Sequence, residues 1–456
     1  PAPTKNLRTE LPSSAPTEFD LAERVKNILV PLLTGPPAFI DPAEFDDPGS
    51  IPSKVLDWLI DQQSDRTERL ITLDHPFKEQ RLIDRYSLAH FYLSMTGAEW
   101  AIQYNFMADA DVCQWRDDSD NGVGCDSNQV VNSIDLTSND LVGTLSPILC
   151  QMQLSSIDLN GDRYLQGSLP TCIGMMPLRR LYLEASAITG SIPTEIGRLS
   201  DLEELSMFFN DLGGTIPTEI GDCTNLVHLD LGRKWFLDSV SFEGTFPTEM
   251  GKLQKLRKLL LSYNYDLFGL IPPEITSMTD LEDIDLLETP LSGFIPTDIS
   301  NLSKLRRLIL DGTSVTGTIP TELGAMISLQ HLNLQFTFLE GAIPTELGNL
   351  ISLQFLELQR LDISGTIPTE FGNLFSIKEM KFFFDNLLTG TLPTELARLT
   401  TLTWLAVSST GLSGTVPSEF ESMSQLELLS LHLTDITGNL DPMFCSEESY
   451  FPNLAA

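Results

Sequence analysis

The chain of 456 residues carries 63 acidic against 28 basic residues, which gives a formal net charge of -35. A surface of that sign repels phosphates, so the composition argues against nucleic acid and anionic membranes as partners. No stretch approaches the roughly 18 uninterrupted apolar residues of a membrane-spanning helix, so we expect no membrane contact within this sequence.

The N-terminal segment, residues 1–35, is expected to be a Pro-, Ser- and Thr-rich stretch with one short helix. It lacks a charged-then-apolar signal pattern, so any secretion signal is expected to have been removed or to lie upstream. A helix is predicted from Glu18 to Val30, and Pro31 is expected to end it. Its apolar face comprises Leu21, Val25, Ile28 and Leu29.

Residues 36–142 are expected to form a helical N-terminal cap and a first strand. Two apolar patterns with helical spacing lie between Pro52 and Gly97, which predicts helices there. The first pattern comprises Val55, Trp58, Leu59 and Ile60, and the second comprises Ile83, Tyr86, Ala89 and Leu93.

A tandem repeat occupies residues 143–437 and is the strongest pattern in the sequence. Most copies are 24 residues long, and the copy from Gly317 reads GTIPTELGAMISLQHLNLQFTFLE. Its Leu329, Leu332 and Leu334 suit a turn that enters a short strand with the Leu side chains pointing inward. This period and pattern are those of leucine-rich repeats. The phrase restarts at Gly143, Gly167, Gly190, Gly214, Gly244, Gly269, Gly293, Gly317, Gly341, Gly365, Gly390, Gly414 and, in part, Gly438.

The predicted fold is of the α/β class. It is a right-handed leucine-rich-repeat solenoid with a concave parallel β-sheet, a convex side of short 3-10 or helical turns, and the helical cap. One repeat cannot bury its Leu face alone, whereas stacked copies bury a continuous core that the cap shields at its open end. Residues 438–456 are expected to be an incomplete C-terminal cap, in which Cys445 has its partner beyond the sequence.

The phrase L-x-x-L-x-L followed by L-x-G-x-I-P-x-E-[IL]-G resembles the plant-type leucine-rich repeat of receptor-kinase ectodomains and secreted inhibitors, from Val131 onward. Cys113-Gln-Trp115 and Gly122-Val-Gly-Cys125 resemble the N-terminal cap of that family, with a longer acidic insert at residues 117–121. The segments FDDPGSIPSKVLDWL and RYSLAHFYLSMTG are more similar to leucine-rich-repeat proteins of diatoms. The resemblance implies an extracellular or cell-surface location and the binding of a ligand.

The six cysteines fit an oxidising compartment better than a catalytic or metal-binding role. The cap resemblance implies a disulfide between Cys113 and Cys125. Cys150 and Cys172 are nearly aligned in adjacent repeats, so a second bridge and two separate thiols are equally open interpretations. Cys223 is expected to be a buried thiol.

An acidic residue follows Pro-Thr or Pro-Ser in most copies, and it has two interpretations. A ladder of carboxylates would bind calcium or a mineral surface, whereas the favoured interpretation places each acid at the positive N-terminal end of a short helical turn. Asp117, Asp118 and Asp120 suggest a calcium loop, but Asn128 stands where a bidentate Glu is expected, so a solvated turn is favoured. The ladder comprises Glu195, Glu219, Glu249, Glu274, Asp298, Glu322, Glu346, Glu370, Glu395 and Glu419.

The sequence contains no metalloprotease, serine-hydrolase, phosphate-loop or kinase phrase. His228, His331 and His432 fall at outward strand positions, but they lie four repeats apart, roughly 19 Å, so one metal ion cannot use two of them. We therefore predict no enzymatic activity, no catalytic residue, no bound metal and no cofactor.

Outward strand positions of the later copies are expected to form a ligand-binding site. Early copies place small or polar groups such as Ser133 and Asp158 there, whereas later copies place aromatic ones. Exposed rings on adjacent strands favour a partner, although they would also pack on one another. The predicted ligand-binding residues are Phe336, Phe355, Glu357, Arg360, Lys381, Phe383, Trp404 and Leu428, with Phe384 among the aromatic residues.

A glycosylation sequon and a long loop are also expected at the surface. Asn301-Leu-Ser303 is a glycosylation sequon. The copy from Gly214 is longer than the others and is expected to bulge as a loop around Lys234 to Ser241.

Two functions of different classes follow from these patterns. The first is recognition: a receptor-like or secreted ectodomain that binds a peptide, protein or glycan on its concave face, with a co-receptor as a further partner. The alternative is a structural adhesive or cell-wall-associated acidic scaffold. High salt or a chelator should release a partner held by carboxylates but not one held by an aromatic groove.

Overall fold

The structure is a computed structural model that describes residues 18–34, 40–62, 67, 77–108, 110–119, 121–233, 240–385 and 387–437. The chain divides into two compact units, residues 1–157 and 158–456. The expected C-terminal cap with Cys445, and most of the expected loop after Arg233, lie outside the described residues.

The first unit combines helices with short strands. Its helices are α1 (Glu18–Thr34), α2 (Ile51–Asp57), which continues as a π-turn (Trp58–Gln62), and α3 (Lys78–Ser94). Its 3-10 turns are Pro42–Asp46, Gly97–Glu99, Val112–Gln114 and Pro147–Gln151. Its strands are β1 (Gly122–Cys125), β2 (Val131–Asp135) and β3 (Val142–Thr144), of which β1 and β2 pair antiparallel, and β4 (Ser156–Asp158) lies at the unit boundary.

Helix α1 is longer than predicted, and the predicted end at Val30 is wrong because Pro31 lies inside the helix. A proline within a helix costs about 3 kcal/mol. Val25, Leu29 and Leu33 are fully buried on the apolar face, and burial of each such side chain contributes about 1.5–3 kcal/mol. Packing of that face therefore outweighs the proline penalty.

Helix α3 is fastened to strand β2 by a buried carboxylate. The Asp84 Oδ2 atom accepts a hydrogen bond from the Val131 N–H at 2.9 Å, and Oδ1 accepts one from Gln80 Nε2 at 2.8 Å. Burial raises the pKa of Asp84 to about 6, although both hydrogen bonds act in the opposite direction. The helical segment thus covers the first strand of the repeat pattern, as expected of a cap.

The core of the cap is organised around a buried cation. Arg85 is 1% exposed, and its guanidinium lies 5.0 Å from the Trp58 ring centroid and 5.3 Å from that of Trp115. Its Nη1 also donates to the Ala110 carbonyl at 2.8 Å. A buried charge needs such hydrogen-bonding and ring partners to offset its loss of water.

The cysteines of the described residues show disulfide chemistry. Cys113 and Cys125 are joined to each other, as the family resemblance implies, and Cys150 and Cys172 are each disulfide-bonded. Cys223 is a free thiol, and burial raises its pKa to about 12. A thiol that stays protonated is unreactive at neutral pH.

Each repeat of the second unit contributes up to three kinds of element: a long-sheet strand, a lateral strand and a 3-10 turn. The long-sheet strands are Arg180–Tyr182, Glu204–Ser206, His228–Asp230, Lys258–Leu260, Asp283–Asp285, Arg307–Ile309, His331–Asn333, Phe355–Glu357, Glu379–Lys381, Trp404–Ala406 and Leu428–Ser430. The lateral strands are Tyr164–Gly167, Ala187–Gly190, Asp211–Leu212, Gly214–Thr215, Phe242–Thr245, Asp266–Leu270, Leu291–Gly293, Ser314–Thr318, Phe338–Ala342, Asp362–Ser364, Thr389–Gly390, Gly411–Gly414 and Asp435–Ile436. The 3-10 turns are Thr171–Met175, Thr194–Arg198, Thr218–Asp222, Thr248–Lys252, Pro273–Ser277, Thr297–Asn301, Thr321–Ala325, Thr345–Asn349, Thr369–Asn373, Thr394–Arg398 and Ser418–Ser422.

The predicted leucine-rich-repeat solenoid with a long parallel sheet is confirmed. Neighbouring long-sheet strands pair in parallel, and their central residues lie opposite one another in register. These central side chains are buried and include Leu308, Leu332, Leu356 and Met380. The side chains on either side of them point out of the sheet because successive residues of a strand face opposite ways.

In most repeats an acidic residue lies in the first turn of the 3-10 turn, in agreement with the favoured interpretation. Pro344, with a φ of -64°, precedes the turn Thr345–Asn349, and Glu346 lies in its first turn. Gly348 in the same turn is needed for close approach, because a Cβ atom there would lie 2.6 Å from the Glu370 carbonyl oxygen of the next repeat. Glycine at this position therefore lets this turn approach the next one closely.

Candidate ligand-binding face

Two columns of outward side chains cross the later strands of the long sheet. The first column is His331, Phe355, Glu379, Trp404 and Leu428, and the second is Asn333, Glu357, Lys381, Ala406 and Ser430. Adjacent strands lie about 4.8 Å apart, so neighbours in a column are within contact distance. Five of the predicted ligand-binding residues, Phe355, Glu357, Lys381, Trp404 and Leu428, lie in these two columns.

Lys381 is the centre of a charged and aromatic network. Its Nζ lies 2.9 Å from Glu357 Oε1, 2.8 Å from Glu379 Oε2 and 4.3 Å from the Trp404 ring centroid. The other Glu357 oxygen, Oε2, lies 3.1 Å from His331 Nε2. The ammonium is thus fixed in place, with its side chain only 13% exposed.

The pKa values of this network show that its charges stabilise one another. Burial acts to raise the pKa of Glu357, but the hydrogen bonds from His331 and Lys381 outweigh it and lower that pKa. Burial likewise acts to lower the pKa of Lys381, while Glu379 and Glu357 raise it above its ordinary value. Both groups therefore stay ionised at neutral pH.

The aromatic rings of Phe355 and Trp404 lie on either side of Glu379 in the first column. Phe355 packs against His331 with ring centroids 5.3 Å apart, and Lys378 Nζ lies 6.0 Å from the Phe355 ring. Trp404 is half-buried, and its Nε1 has no hydrogen-bond partner in the described part of the chain. Leu428, also half-buried, follows Trp404 on the next strand.

A second cluster consists of an arginine between two phenylalanines. The Arg360 guanidinium lies 5.1 Å from the Phe336 ring centroid and 4.5 Å from that of Phe384. Both rings are exposed, at 48% and 45%, and Phe383 packs edge-on against Phe384 at 5.5 Å. Cation–π contacts of this kind contribute about 0.5–1 kcal/mol at exposed sites.

This second cluster lies in turns, not at strand positions, and the predicted strand placement of Phe336, Arg360, Phe383 and Phe384 is wrong. The strands end at Asn333, Glu357 and Lys381. After each of these strands the backbone enters the left-handed region, with a φ of 54° at Phe336, 57° at Arg360 and 66° at Phe384. Side-chain alternation stops where the extended backbone stops.

Phe383 and Trp404 are consequently not lateral neighbours. Trp404 lies opposite Glu379 in the sheet, whereas the N–H of Phe384 bonds to the Ser408 carbonyl. Phe383 is four residues beyond Glu379 and lies in the turn that follows the strand. The predicted aromatic site therefore comprises a Lys381 cluster and an Arg360 cluster.

Comparison with known proteins supports the relation to plant receptors. Residues 328–350 match the Leucine Rich Repeat family. Receptor-like protein 36 of Arabidopsis thaliana is 30% identical over 100 residues, which is 22% of this chain and 13% of that protein. Receptor-like protein 41 of the same plant is 29% identical over 196 residues, 36% of this chain and 22% of that protein.

Solved structures of plant receptors have the same fold. The ectodomain of the Arabidopsis receptor kinase HAESA in complex with an IDA peptide hormone has a TM-score of 0.69 and 28% identity, covering 81% of this chain and 60% of that chain. The GASSHO1/SCHENGEN3 ectodomain from Arabidopsis thaliana in complex with CASPARIAN STRIP INTEGRITY FACTOR 2 has a TM-score of 0.67 and 30% identity, covering 80% and 45%. The plant peptide hormone receptor RGFR1 in complex with RGF2 has a TM-score of 0.65 and 31% identity, covering 69% and 49%.

The chain has the leucine-rich-repeat solenoid fold and is similar to plant receptor ectodomains. It spans less than a quarter of the two receptor-like proteins and about half of the RGFR1 and GASSHO1/SCHENGEN3 ectodomains. These relatives come from plants, and the narrower likeness of the N-terminal segments to diatom proteins stays a prediction.

Earlier strands of this leucine-rich-repeat sheet carry several carboxylates at outward positions, including Asp230, Asp283 and Asp285. Burial raises the pKa of Asp230 to about 7, with the nearby charges of Glu184, Asp285 and Asp283 acting in the same direction and the hydrogen bond from the Gly232 N–H acting against them. Burial also raises the pKa of Asp311 to about 6. These carboxylates thus lie in the earlier repeats, whereas the Lys381 and Arg360 clusters lie in the later ones.

Sequence reasoning missed the partners of Lys381. His331 was considered only as a metal ligand, and Glu379 was not singled out. The 26-residue separation of His331 and Glu357 is one repeat plus two positions, which places them on adjacent strands and diagonal to each other. The contact between His331 and Glu357 could therefore be predicted from the repeat period, since diagonal neighbours are within reach of long side chains.

The described residues include neither a metal-binding cluster nor a membrane-spanning helix. They contain no group of three or more His, Cys, Asp or Glu side chains placed to hold a metal ion. No helix within them is long and apolar enough to cross a lipid bilayer. Asn301 is exposed at the end of a 3-10 turn, and its glycosylation stays a prediction.

Proposed function

We propose that this chain is an extracellular ligand-recognition ectodomain, receptor-like or secreted, and not an enzyme. It binds an extended peptide or a protein on the outward face of the long sheet, between Phe336 and Leu428. The observation that carries the proposal is Lys381, which two glutamates hold over Trp404. An ammonium fixed beside a half-buried ring is ready to bind a ligand without further ordering.

The two clusters favour a ligand with both charged and apolar groups. Arg360 presents hydrogen-bond donors between two exposed rings, and arginine and aromatic residues are common anchors in protein interfaces. The HAESA structure contains a peptide hormone ligand, and RGFR1, in complex with RGF2, is a plant peptide hormone receptor. This likeness supports a peptide ligand here, and a co-receptor would bind as a further partner.

A glycan is the alternative ligand for the same face, because sugar rings also stack on aromatic side chains. Location outside the cell is supported by the disulfide between Cys113 and Cys125, since such bonds persist in oxidising compartments. Glycosylation at Asn301 would fit that location.

Selection of peptides tests this assignment. Linear peptides selected from a random library on the parent protein should bind Trp404→Ala and Arg360→Ala at least about tenfold more weakly, and the double variant roughly thirtyfold or more, which is about 2 kcal/mol. Glu219→Ala, on a 3-10 turn, is the matched control and should bind normally. Circular dichroism melting confirms that each variant is folded. If the double variant binds the selected peptides as the parent does, the site assignment is wrong.

A structural scaffold is the second candidate function, favoured by the net charge of -35. In that case calcium carbonate particles would adsorb the protein in dilute salt and release it in concentrated salt or chelator. Adsorption that persists in the double variant, together with failure to select any peptide, would favour the scaffold over the receptor.

A further inference from the structure

Large apolar side chains are exposed together on one part of the lateral strands. Phe268 and Leu270 lie on strand Asp266–Leu270, and Phe294 follows strand Leu291–Gly293. Their side chains are 54%, 66% and 72% exposed. We call these three residues the lateral patch.

The other repeats provide an internal comparison for this patch. Leu270 and Phe294 each follow the glycine of the repeat phrase, where other copies carry small residues. Those small residues are Ser168, Ser191, Thr215, Thr245, Thr318, Ala342, Thr366, Thr391 and Thr415. The repeat fold therefore does not need a large apolar side chain at this position, and two adjacent copies have one.

The members of the lateral patch form one surface. Phe268 and Leu270 are two residues apart on a strand and face the same way. A Cβ atom built on Gly293 would lie 2.9 Å from Leu270 Cδ2, so the Leu270 side chain reaches over the repeat from which Phe294 projects. Together the three expose on the order of 350 Å². A contiguous patch of that size on a soluble protein commonly marks an interaction site.

The surroundings of the lateral patch are acidic. Asp266 starts the strand that carries Phe268, and it lies opposite exposed Glu243 on the neighbouring strand. Among the described lateral strands from Phe242 to Ala342, no outward side chain is basic. A second copy of this chain would bring its own charge of -35 to the contact, and anionic lipid would also be repelled. Charge complementarity therefore favours a basic partner.

We propose that the lateral patch docks an extended basic segment of a partner protein. Apolar side chains of that segment cover Phe268, Leu270 and Phe294, and its Lys or Arg side chains pair with Asp266 and Glu243. Alternate residues of an extended chain are about 6.7 Å apart, which matches the separation of Phe268 and Leu270 along their own strand. This surface is separate from the outward face of the long sheet and does not depend on the ligand proposed there.

The test uses a short fluorescent peptide of alternating Leu and Lys, with peptides of alternating Leu and Glu and of alternating Ser and Lys for comparison. Binding is measured by anisotropy at physiological salt. The parent should bind the Leu-Lys peptide at least about tenfold more tightly than either other peptide, because both apolar contact and charge contribute.

Variants then place the peptide on the lateral patch. Leu270→Thr with Phe294→Thr restores the residue type of the neighbouring repeats, so the fold should persist, and it should weaken Leu-Lys binding at least about tenfold. Phe375→Ser is the control, since Phe375 is similarly exposed, at 58%, on a different element. Glu243→Gln with Asp266→Asn should reduce the dependence of binding on salt.

Three results would overturn the proposal. If the parent and the double variant Leu270→Thr with Phe294→Thr bind the Leu-Lys peptide equally well, the peptide binds elsewhere. Equal binding of Ser-Lys and Leu-Lys means that charge alone attracts it. Self-association of the parent that the double variant abolishes, seen by analytical ultracentrifugation, means that a second copy is the natural occupant.

Discussion

Replacing Asp385 with asparagine is expected to stabilise the protein at neutral and alkaline pH. In several other repeats this position donates a hydrogen bond to the carbonyl three residues earlier, as Asn264 Nδ2 does to Leu261 at 2.8 Å and Thr337 Oγ1 to Leu334 at 2.8 Å. Asp385 is fully buried, and its Oδ2 has no hydrogen-bond partner among the described residues. A carboxylate cannot donate, so this position favours the protonated acid.

The magnitude follows from the pKa. Burial, together with the smaller effect of the Asp362 charge, raises the pKa of Asp385 from 3.8 to about 8, against the hydrogen bond from the Leu361 N–H. Because the folded pKa lies above the unfolded one, the folded protein holds a proton that the unfolded chain has lost between these two values, and stability falls as pH rises through that window. At 1.36 kcal/mol per pH unit, Asp385 costs roughly 4 kcal/mol by pH 7 relative to pH 4.

Urea unfolding followed by tryptophan fluorescence measures this effect at several pH values between 4 and 8. The parent and Asp385→Asn should be similarly stable at pH 4, and their difference in unfolding free energy should grow steadily with pH. Asn264→Asp is the matched control and should acquire the same slope. Asp84, Asp230 and Asp311 also have raised pKa values, but they are common to both proteins and cancel in the difference. Parallel pH profiles for the parent and Asp385→Asn would refute the reasoning.

Three further substitutions test the packing of the cap and the repeats by thermal or urea unfolding. Cys113→Ser with Cys125→Ser should cost about 2–4 kcal/mol of unfolding free energy, and an unchanged value would deny the disulfide a structural role. Gly348→Ala should cost about 1–3 kcal/mol of unfolding free energy because its Cβ meets the carbonyl of the next turn. Ala397→Gly, at the same position of another repeat, is the control and should cost about 1 kcal/mol or less. Equal losses in the two variants would contradict the argument that Gly348 is needed for close approach. Arg85→Leu should destabilise the cap by about 2 kcal/mol or more because the Ala110 carbonyl loses its donor, and a neutral result would mean that the tryptophans repack around leucine.

The inward-facing parts of the fold could be predicted because the repeat period gives the position of each buried residue. A repeat that buries Leu at fixed offsets determines which residue of each strand lies in the core, and Leu332 and Leu356 occupy those positions. The same count predicts that Phe355 and Trp404 share a column with one strand between them. Helical spacing of Ile83, Tyr86 and Ala89 located α3 in the same way, although the helix is buried on nearly all sides from Leu82 to Ala89.

The outward-facing turns could not be predicted because the strands are only three residues long. Three consecutive phenylalanines, Phe382 to Phe384, look like continuing strand, yet Phe384 has a φ of 66°. Phenylalanine rarely adopts this conformation, so no residue preference marks the strand end. The turn is set by the tertiary position that Asp385 occupies, as the equivalent Asn264 shows in its own repeat, and not by the local sequence.

Differences between repeats locate function better than any single motif does, because each repeat is a control for the others. Inward differences such as aspartate at Asp385 affect folding, since the core tolerates few changes. Outward differences are free of that constraint, so a large apolar group there is explained by what binds it more readily than by packing. The Lys381 cluster and the lateral patch are two such differences, and they lie on different strands of the repeat. A variant of Leu270 and Phe294 should therefore leave peptide binding at Trp404 unchanged, and coupling between the two would mean that one partner spans both faces.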